Sequence, residues 1–395
     1  MASSGALKDM QENKGDVEML ATIVATSVCL EPMGGFTRPN CPRVSGEVNP
    51  LPSADAQPEV QEIWVHLVFT WSGKLFTLDI AESDRVHDLK AVLFSLTNVP
   101  PERQKILGLV KGKLPPEDAR IGDLNLVSGK KFNLVGTPEG AEIKDPSQLE
   151  FLPDVINDLD VDLSTDPVAA AAYVNDQRNK RKVKEATDAL RGQVNLINPL
   201  RPGKRLLVLD IDYTIVDTKP LTSGALPATE CARPGLHDFL TAVYEDYDIC
   251  IWSQTNWTWL EAKLVELGMI GQGRPYEIAF VLDKSPMFTV FSDLRKDKDG
   301  RPYTHHVKAL QIIWNLFPQF NAKNTVHVDD LSRNFALNPR NGIKISAYKE
   351  AGTESGRADR ELRRLSRYLL HIARTSDLQA VDHKEWRKVA RNIAG

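Results

Sequence analysis

Residues 206–214 read Leu206-Leu207-Val208-Leu209-Asp210-Ile211-Asp212-Tyr213-Thr214. Four aliphatics in a row suit a short buried strand. The run delivers two carboxylates, Asp210 and Asp212, with the Thr214 hydroxyl close behind. Side chains two apart on a strand leave the same face. Such a pair suits attack on a phosphorus atom by one carboxylate and protonation of the departing oxygen by the other. Ile215-Val216 then resumes the apolar pattern. Acidic pairs are common after strands, so this pair alone also fits a capping loop or a lone metal site.

A phosphate dianion needs positive charge and hydrogen-bond donors, and an approaching carboxylate needs a cation to suppress repulsion. The downstream sequence offers candidates in a consistent order. Tyr247-Asp248-Ile249-Cys250-Ile251-Trp252 is a second apolar strand. It runs into Ser253-Gln254-Thr255-Asn256, whose hydroxyl and backbone N–H groups suit a phosphate oxygen and equally make a polar turn. Lys308 precedes Leu310, Ile312, Ile313, Leu316 and Phe317, the spacing of an amphipathic helix with a lysine in its first turn. The helix dipole mildly disfavours lysine there, so a solvated side chain and a phosphate contact both remain open. Thr325-Val326-His327-Val328 is a third short strand, ending in Asp329-Asp330. Such a pair sits in solvent or binds a cation, and Mg²⁺ takes oxygen ligands from carboxylates, waters and phosphate. Each signal is weak singly. As an ordered set with three of four at strand ends, they fit the carboxyl edge of an open α/β sheet, where ligands bind.

This ordered set resembles the haloacid-dehalogenase superfamily of Mg²⁺ phosphatases. The stretches Arg233-Pro234-Gly235-Leu236-His237-Asp238-Phe239-Leu240 and Trp252-Ser253-Gln254-Thr255-Asn256 are similar to the branch that dephosphorylates the C-terminal domain of RNA polymerase II. The resemblance implies a Rossmannoid parallel sheet and a protein serine/threonine phosphatase that uses Mg²⁺ and an aspartyl-phosphate. It implies Asp210 as nucleophile and Asp212 as general acid, then general base. Ser253, Gln254 and Lys308 would contact the phosphoryl group. Asp210, the backbone carbonyl of Asp212 and Asp330 would hold Mg²⁺, with Asp329 as second choice for the last place. The dehalogenases lack the second carboxylate and the P-type ATPases carry Lys-Thr there, so Asp212 favours a phosphatase. The interval from Asp210 to Ser253 is too short for a large helical cap, which suits a protein substrate. Phe280-Val281-Leu282 and Phe288-Thr289-Val290-Phe291 read as a β insertion, with a charged tip from Asp293 to Arg301 flanking the substrate groove.

Residues 62–137 form a different unit. Ile63, Val65, Leu67 and Phe69 alternate, Trp71-Ser72-Gly73-Lys74 turns, and Phe76, Leu78 and Ile80 alternate again, a β-hairpin pattern. Asp84 is placed to N-cap a helix with Val86, Leu89, Leu93 and Leu96 on one face. Ile106-Leu107 and Lys131–Val135 supply further strands. This order, with Val99-Pro100-Pro101-Glu102-Arg103-Gln104 after the helix, resembles ubiquitin, a small α+β β-grasp fold. No terminal Gly-Gly follows: the chain runs on through Thr137-Pro138-Glu139-Gly140, which suits a fixed adaptor rather than a conjugated tag. Joined to this phosphatase branch, the domain resembles a proteasome-associated phosphatase family. That implies docking on a base subunit of the 26S proteasome, phosphoprotein substrates of the proteasome or polymerase-tail class, and residence in the nucleus, with the cytoplasm also open.

The chain of 395 residues divides further. Residues 1–60 lack periodicity, are rich in Pro, Gly and Ser, and read as disordered. The linker 138–200 is acidic at Asp154, Asp158, Asp160 and Asp162, then runs through Ala169–Ala172 into a basic stretch, Arg178 to Lys184. That stretch fits a nuclear-import signal or a solvated helix face. Residues 201–395 are the phosphatase unit, closed by two helices around Leu362–Ala373 and His383–Ile393. A net charge of −4 makes no case for nucleic-acid binding. Leu20–Leu30 is too short to span a bilayer and follows Asp16 and Glu18 rather than positive charge. The four cysteines form no C-x-x-C. Six positions beyond Cys231 and Cys250 stand His237 and Asn256 rather than arginine, which argues against a cysteine-dependent phosphatase. The alternatives are a catalytically inactive adaptor for the proteasome or ubiquitin receptors, and a small-molecule phosphatase. Retention of two self-repelling carboxylate pairs favours activity.

Overall fold

The computed structural model describes residues 62–139 and 167–393, with 195, 272, 297–299 and 301 excepted. The expectations for residues 1–60 and for Asp154–Asp162 lie outside the described residues.

The first unit begins with a hairpin, β1 (Trp64–Trp71) and β2 (Lys74–Ala81). Ser72 and Gly73 both take positive φ, 49° and 76°, the two-residue turn whose twist matches that of the paired strands. Helix α1 (Val86–Thr97), β3 (Lys105–Leu107) and β4 (Lys130–Val135) follow. The sheet order is β2-β1-β4-β3, with β1 parallel to β4 and the outer pairs antiparallel. Leu67, Phe69, Ile80, Leu89, Leu93 and Phe132 make the core. Two expectations change. Asp84 is not the N-cap: Arg85 is, and its amide donates to the Asp88 carboxylate at 2.9 Å, while Asp84 accepts the Ala81 amide at 3.2 Å. Leu96 is 42% exposed. The buried stripe through Val86, Leu89 and Leu93 continues at Thr97, so Leu96 turns outward.

Helices α2 (Pro167–Asn175) and α3 (Gln177–Leu190) carry the chain to the second unit. The basic stretch lies on α3, and its arginines are clamps rather than a wholly solvated face. Arg178 donates twice to Asp88, at 2.7 Å each, and once to the Thr289 carbonyl at 2.8 Å. Arg181 donates to Ser83 at 2.7 Å and pairs with Glu62 and Asp84.

The second unit contains a five-stranded sheet of order β11-β10-β5-β6-β7, every neighbouring pair parallel. Its strands are β5 (Arg205–Leu209), β6 (Tyr247–Trp252), β7 (Ile278–Leu282), β10 (Thr325–Asp329) and β11 (Gly342–Lys344). An antiparallel hairpin, β8 (Phe288–Lys296) and β9 (Pro302–Val307), stands apart from the sheet. The main helices are α4 (Leu236–Tyr244), α5 (Trp257–Glu266), α6 (Leu310–Leu316), α7 (Glu361–Ile372) and α8 (Trp386–Asn392). Leu207 and Leu209 join the core under α4 and α7, whereas Leu206 and Val208 join the core under α6. Burial on both faces is why β5 is continuously aliphatic.

The expected β insertion is narrower than the sequence suggested. Phe280-Val281-Leu282 belongs to β7, buried and paired with β6, so only the β8–β9 hairpin is inserted. Lys308 does not open a helix: α6 starts at Leu310, whose amide is capped by Asn338 at 2.8 Å, and Lys308 is held in the preceding loop. No described helix is long and apolar enough to cross a membrane.

Candidate active site

From β5 the chain moves to β6 and β7 on one side, then returns to β10 and β11 on the other. The carboxyl end of β5 is therefore the switch point of the sheet, where α/β folds bind ligands. Asp210 leaves β5, Ser253 leaves β6 and Asp329-Asp330 end β10, so the sequence-predicted groups converge there.

After Leu209 the backbone turns sharply. The amides of Thr214 and Ile215 both donate to the Ile211 carbonyl, at 3.1 and 3.0 Å. Tyr213 has φ of 58°, left-handed and costly for a bulky side chain. The Tyr348 amide holds its carbonyl at 2.6 Å. Asp210 and Asp212 thus sit on a tight turn rather than on one strand face, and each has its own partners.

Asp210 accepts from Lys308 and from Thr214 Oγ1, the latter at 2.9 Å. Lys308 is fully buried and also donates to Asp329 at 2.7 Å. Oxygens of Asp210, Asp329 and Asp330 lie within 4.8 Å of one another. Three carboxylates thus face a single ammonium. Burial, and then the charge of Asp329, push the Asp210 carboxyl well above its usual range against the pull of Lys308. Burial and Asp329 push Asp330 up to about 7. Burial acts the same way on Asp329, but Lys308 and His327 outweigh it and hold that carboxyl well below the usual range. The two neighbours differ in their hydrogen bonds too. Asp329 accepts from Lys308, from Asn334 at 2.8 Å and from the Leu331 amide at 2.9 Å. The Asp330 carboxylate meets Thr214 Oγ1 at 3.3 Å. An all-oxygen cluster with excess negative charge fits a hard divalent cation, and Asp210 and Asp330 keep the most free lone pairs for it. The Asp212 carboxylate lies outside this cluster.

Asp212 accepts from Ser253 Oγ at 2.9 Å, from Thr218 Oγ1 at 2.6 Å and from Lys263. Burial raises its carboxyl, yet the Lys263 ammonium and these hydrogen bonds prevail and lower it. Ser253 also accepts the Thr255 amide at 3.1 Å. Gln254 donates to Asn334 at 3.0 Å and through it supports Asp329. Lys263, Thr218 and Asn334 were not found by sequence reasoning. Lys263 had a signal: it stands beside Leu260 and Leu264 in the buried stripe of α5, where an unpaired lysine would be costly. Thr218 and Asn334 had none.

A parallel sheet with these acidic groups at its switch point suits phosphoryl transfer. Residues 205–379 match the NLI interacting factor-like phosphatase family, and residues 67–139 match the ubiquitin family. Over 330 residues the chain is 39% identical to the ubiquitin-like domain-containing CTD phosphatase 1 of Danio rerio, covering 82% of this chain and 97% of that one. The Homo sapiens protein of the same name is 40% identical over 329 residues, covering 82% and 96%. The chain belongs to the ubiquitin-like domain-containing CTD phosphatase family.

Proposed function

We propose that this phosphatase is a Mg²⁺-dependent protein serine/threonine phosphatase working through an aspartyl-phosphate on Asp210. The observation that carries the reading is the convergence of Asp210, Lys308, Asp329 and Asp330 in one buried cluster, with Asp212 beside it on the same turn. A carboxylate oxygen of Asp210 attacks phosphorus, and the bond from phosphorus to the serine or threonine oxygen breaks. Asp212 gives that oxygen its proton. Arrival of a phosphate dianion beside Asp212 disfavours its ionised form, which opposes Lys263 and lets the carboxyl carry the proton. Asp212 then takes a proton from the water that attacks the aspartyl-phosphate, releasing inorganic phosphate and restoring Asp210. Lys308 and Ser253 supply donors to the phosphoryl oxygens. When bound by Asp210, Asp330 and the Asp212 carbonyl, Mg²⁺ neutralises charge that otherwise repels substrate.

The ubiquitin-like domain supplies docking in this reading, with the 26S proteasome base as receptor. Its sheet carries Leu75, Leu107 and Val135 at 69%, 53% and 51% exposure. Leu75 pairs across to Thr70, Thr70 to Asn133 and Asn133 to Leu107, which puts Leu75 and Leu107 on the face away from α1, and Val135, two residues beyond Asn133, shares that face. Three exposed apolar side chains on one face, set among Thr70 and Asn133, support a protein partner. Nuclear residence belongs to the same proposal, but its address is not an open Arg178–Lys184 peptide, because Arg178 and Arg181 are engaged.

The deciding experiment is hydrolysis of an aryl phosphate and of a serine phosphopeptide, with Mg²⁺ and with chelator, beside Asp210→Asn. Metal-dependent turnover lost in the variant is expected. Turnover unchanged in Asp210→Asn removes the nucleophile assignment, and no turnover by folded, Mg²⁺-replete protein returns the weight to the adaptor alternative.

A further inference from the structure

Helix α7 presents two opposite faces. Leu362, Leu365, Leu369 and Ile372 are buried in the core. The other face, with the residues flanking it, walls a groove of about 980 Å³ against α4. Arg357, Arg360, Arg363, Arg367 and Arg374 all line that groove. Among the described residues, Arg360, Arg363, Arg367 and Arg374 have no carboxylate within ion-pair distance. The groove contains two acidic residues, Asp238 and Asp359. The charge of Asp359 is already met by Arg233, which donates to it at 2.9 and 3.2 Å. The groove is thus positive on a chain whose net charge is −4.

Stability of the helix does not explain these arginines. Arg360 and Arg363 stand at the amino end of α7, where the dipole disfavours cations. Arg363 and Arg367 are four apart, a like-charge pair that weakens a helix. Their placement makes sense if an anion lies between α7 and α4.

At about 980 Å³ the groove is too large for a single small anion, and part of its lining is apolar. Phe239, Ala242 and Leu370 line it between the charges. Phe239, the groove's only Phe, Tyr or Trp, is buried, so no exposed aromatic ring offers a platform for stacked bases. Charge with apolar lining suits a polypeptide carrying acidic and aliphatic side chains. We propose that this groove docks an acidic segment of a partner protein, its carboxylates or phosphates paired with Arg360, Arg363, Arg367 and Arg374. The proposal does not rest on the catalytic reading, because none of these arginines touches the aspartate cluster.

The test is fluorescence anisotropy on the full chain. The probe is a labelled, unphosphorylated peptide of alternating glutamate and leucine, which presents no phosphate to the aspartate site. Arg363→Glu with Arg367→Glu is expected to weaken binding by about tenfold or more and to leave aryl phosphate turnover unchanged. If that variant does not fold, Arg363→Gln with Arg367→Gln decides, with a loss of about threefold expected. Unchanged binding in the folded variant overturns the proposal. So does equal binding of a glutamine-and-leucine peptide, and so does a single-stranded oligonucleotide that displaces the probe better than unlabelled acidic peptide. A chain without phosphatase activity that still binds the peptide through these arginines retains the docking site and loses only the catalytic reading.

Discussion

Removing the Arg178 side chain should uncouple the ubiquitin-like domain from the phosphatase. Arg178 donates to both oxygens of Asp88 and to the Thr289 carbonyl of β8, and its guanidinium lies 5.0 Å from the ring of Phe291. Arg85 of the first domain covers the same ring at 4.1 Å. In Arg178→Ala the Asp88 carboxylate stays buried but loses two charge-assisted hydrogen bonds. Breaking a buried pair from one side costs about 3–5 kcal/mol. Asp88 keeps the Arg85 amide at 2.9 Å and Lys182 at 3.7 Å, so the lower end, about 3 kcal/mol, is expected. Asp88→Ala should cost a similar amount, with about 1 kcal/mol of it from the lost cap on α1. The double variant buries no orphan charge, so it should be less destabilised than the sum of the singles by about 2 kcal/mol. The assay is urea unfolding of the full chain in all four forms, followed by intrinsic fluorescence and by proteolysis of the α3 region. Wild type should unfold in one transition and Arg178→Ala in two, the first belonging to residues 62–139. Strictly additive singles, or a single unsplit transition in Arg178→Ala, would refute the reasoning.

Three further outcomes are expected. Lys263→Met removes the cation that holds the Asp212 carboxyl low; the pH above which serine phosphopeptide turnover falls should move upward, because the proton donor stays protonated further, and an unshifted pH profile would separate Lys263 from proton transfer. Lys308→Met leaves Asp210 and Asp329 without the ammonium they share; the melting temperature should drop with chelator and recover more with Mg²⁺ than in wild type, whereas an identical Mg²⁺ response would argue against cation binding there. His383 is buried against the Tyr368 hydroxyl at 2.7 Å, and burial lowers its pKa from 6.5 to about 4. The unfolded chain therefore takes up a proton that the folded chain refuses; stability should fall by up to about 3 kcal/mol as pH drops from 6.5 to 4, and His383→Gln should flatten that slope in pH-dependent unfolding.

The site was legible where its chemistry rides on strands. An apolar run ending in a polar residue is a strong local signal, and three of them in order found Asp210, Ser253 and Asp329-Asp330. Lys308 was found for its type and order, but its helix position was misjudged because Leu310 is capped by Asn338 from a distant loop. Long-range capping leaves no trace in a local pattern. The same limit hid the clamp on α3. A run of basic residues looks solvated until the matching acids, Glu62, Asp84 and Asp88, are folded against it. Lys263 was missed for a related reason: its place in an apolar stripe is visible in the sequence, but its partner Asp212 lies 51 residues away.

The doubled aspartate shows what spacing cannot decide and hydrogen bonding can. As neighbours on the chain, Asp329 and Asp330 are equivalent candidates for the cation. In the fold, Asp329 is saturated by Lys308, Asn334 and the Leu331 amide, and Lys308 with His327 holds it ionised against burial. Asp330 has one long side-chain contact and a carboxyl raised to about 7, so it gains most from a nearby cation. In the proposed mechanism the two residues divide the work: Asp329 would fix Lys308 beside Asp210, and Asp330 would lend an oxygen to the cation. Asp329→Asn should therefore displace Lys308 and lower turnover at every Mg²⁺ concentration, whereas Asp330→Asn should raise the Mg²⁺ needed for half-maximal turnover. Identical Mg²⁺ titrations for the two variants would mean that the carboxylates share one role.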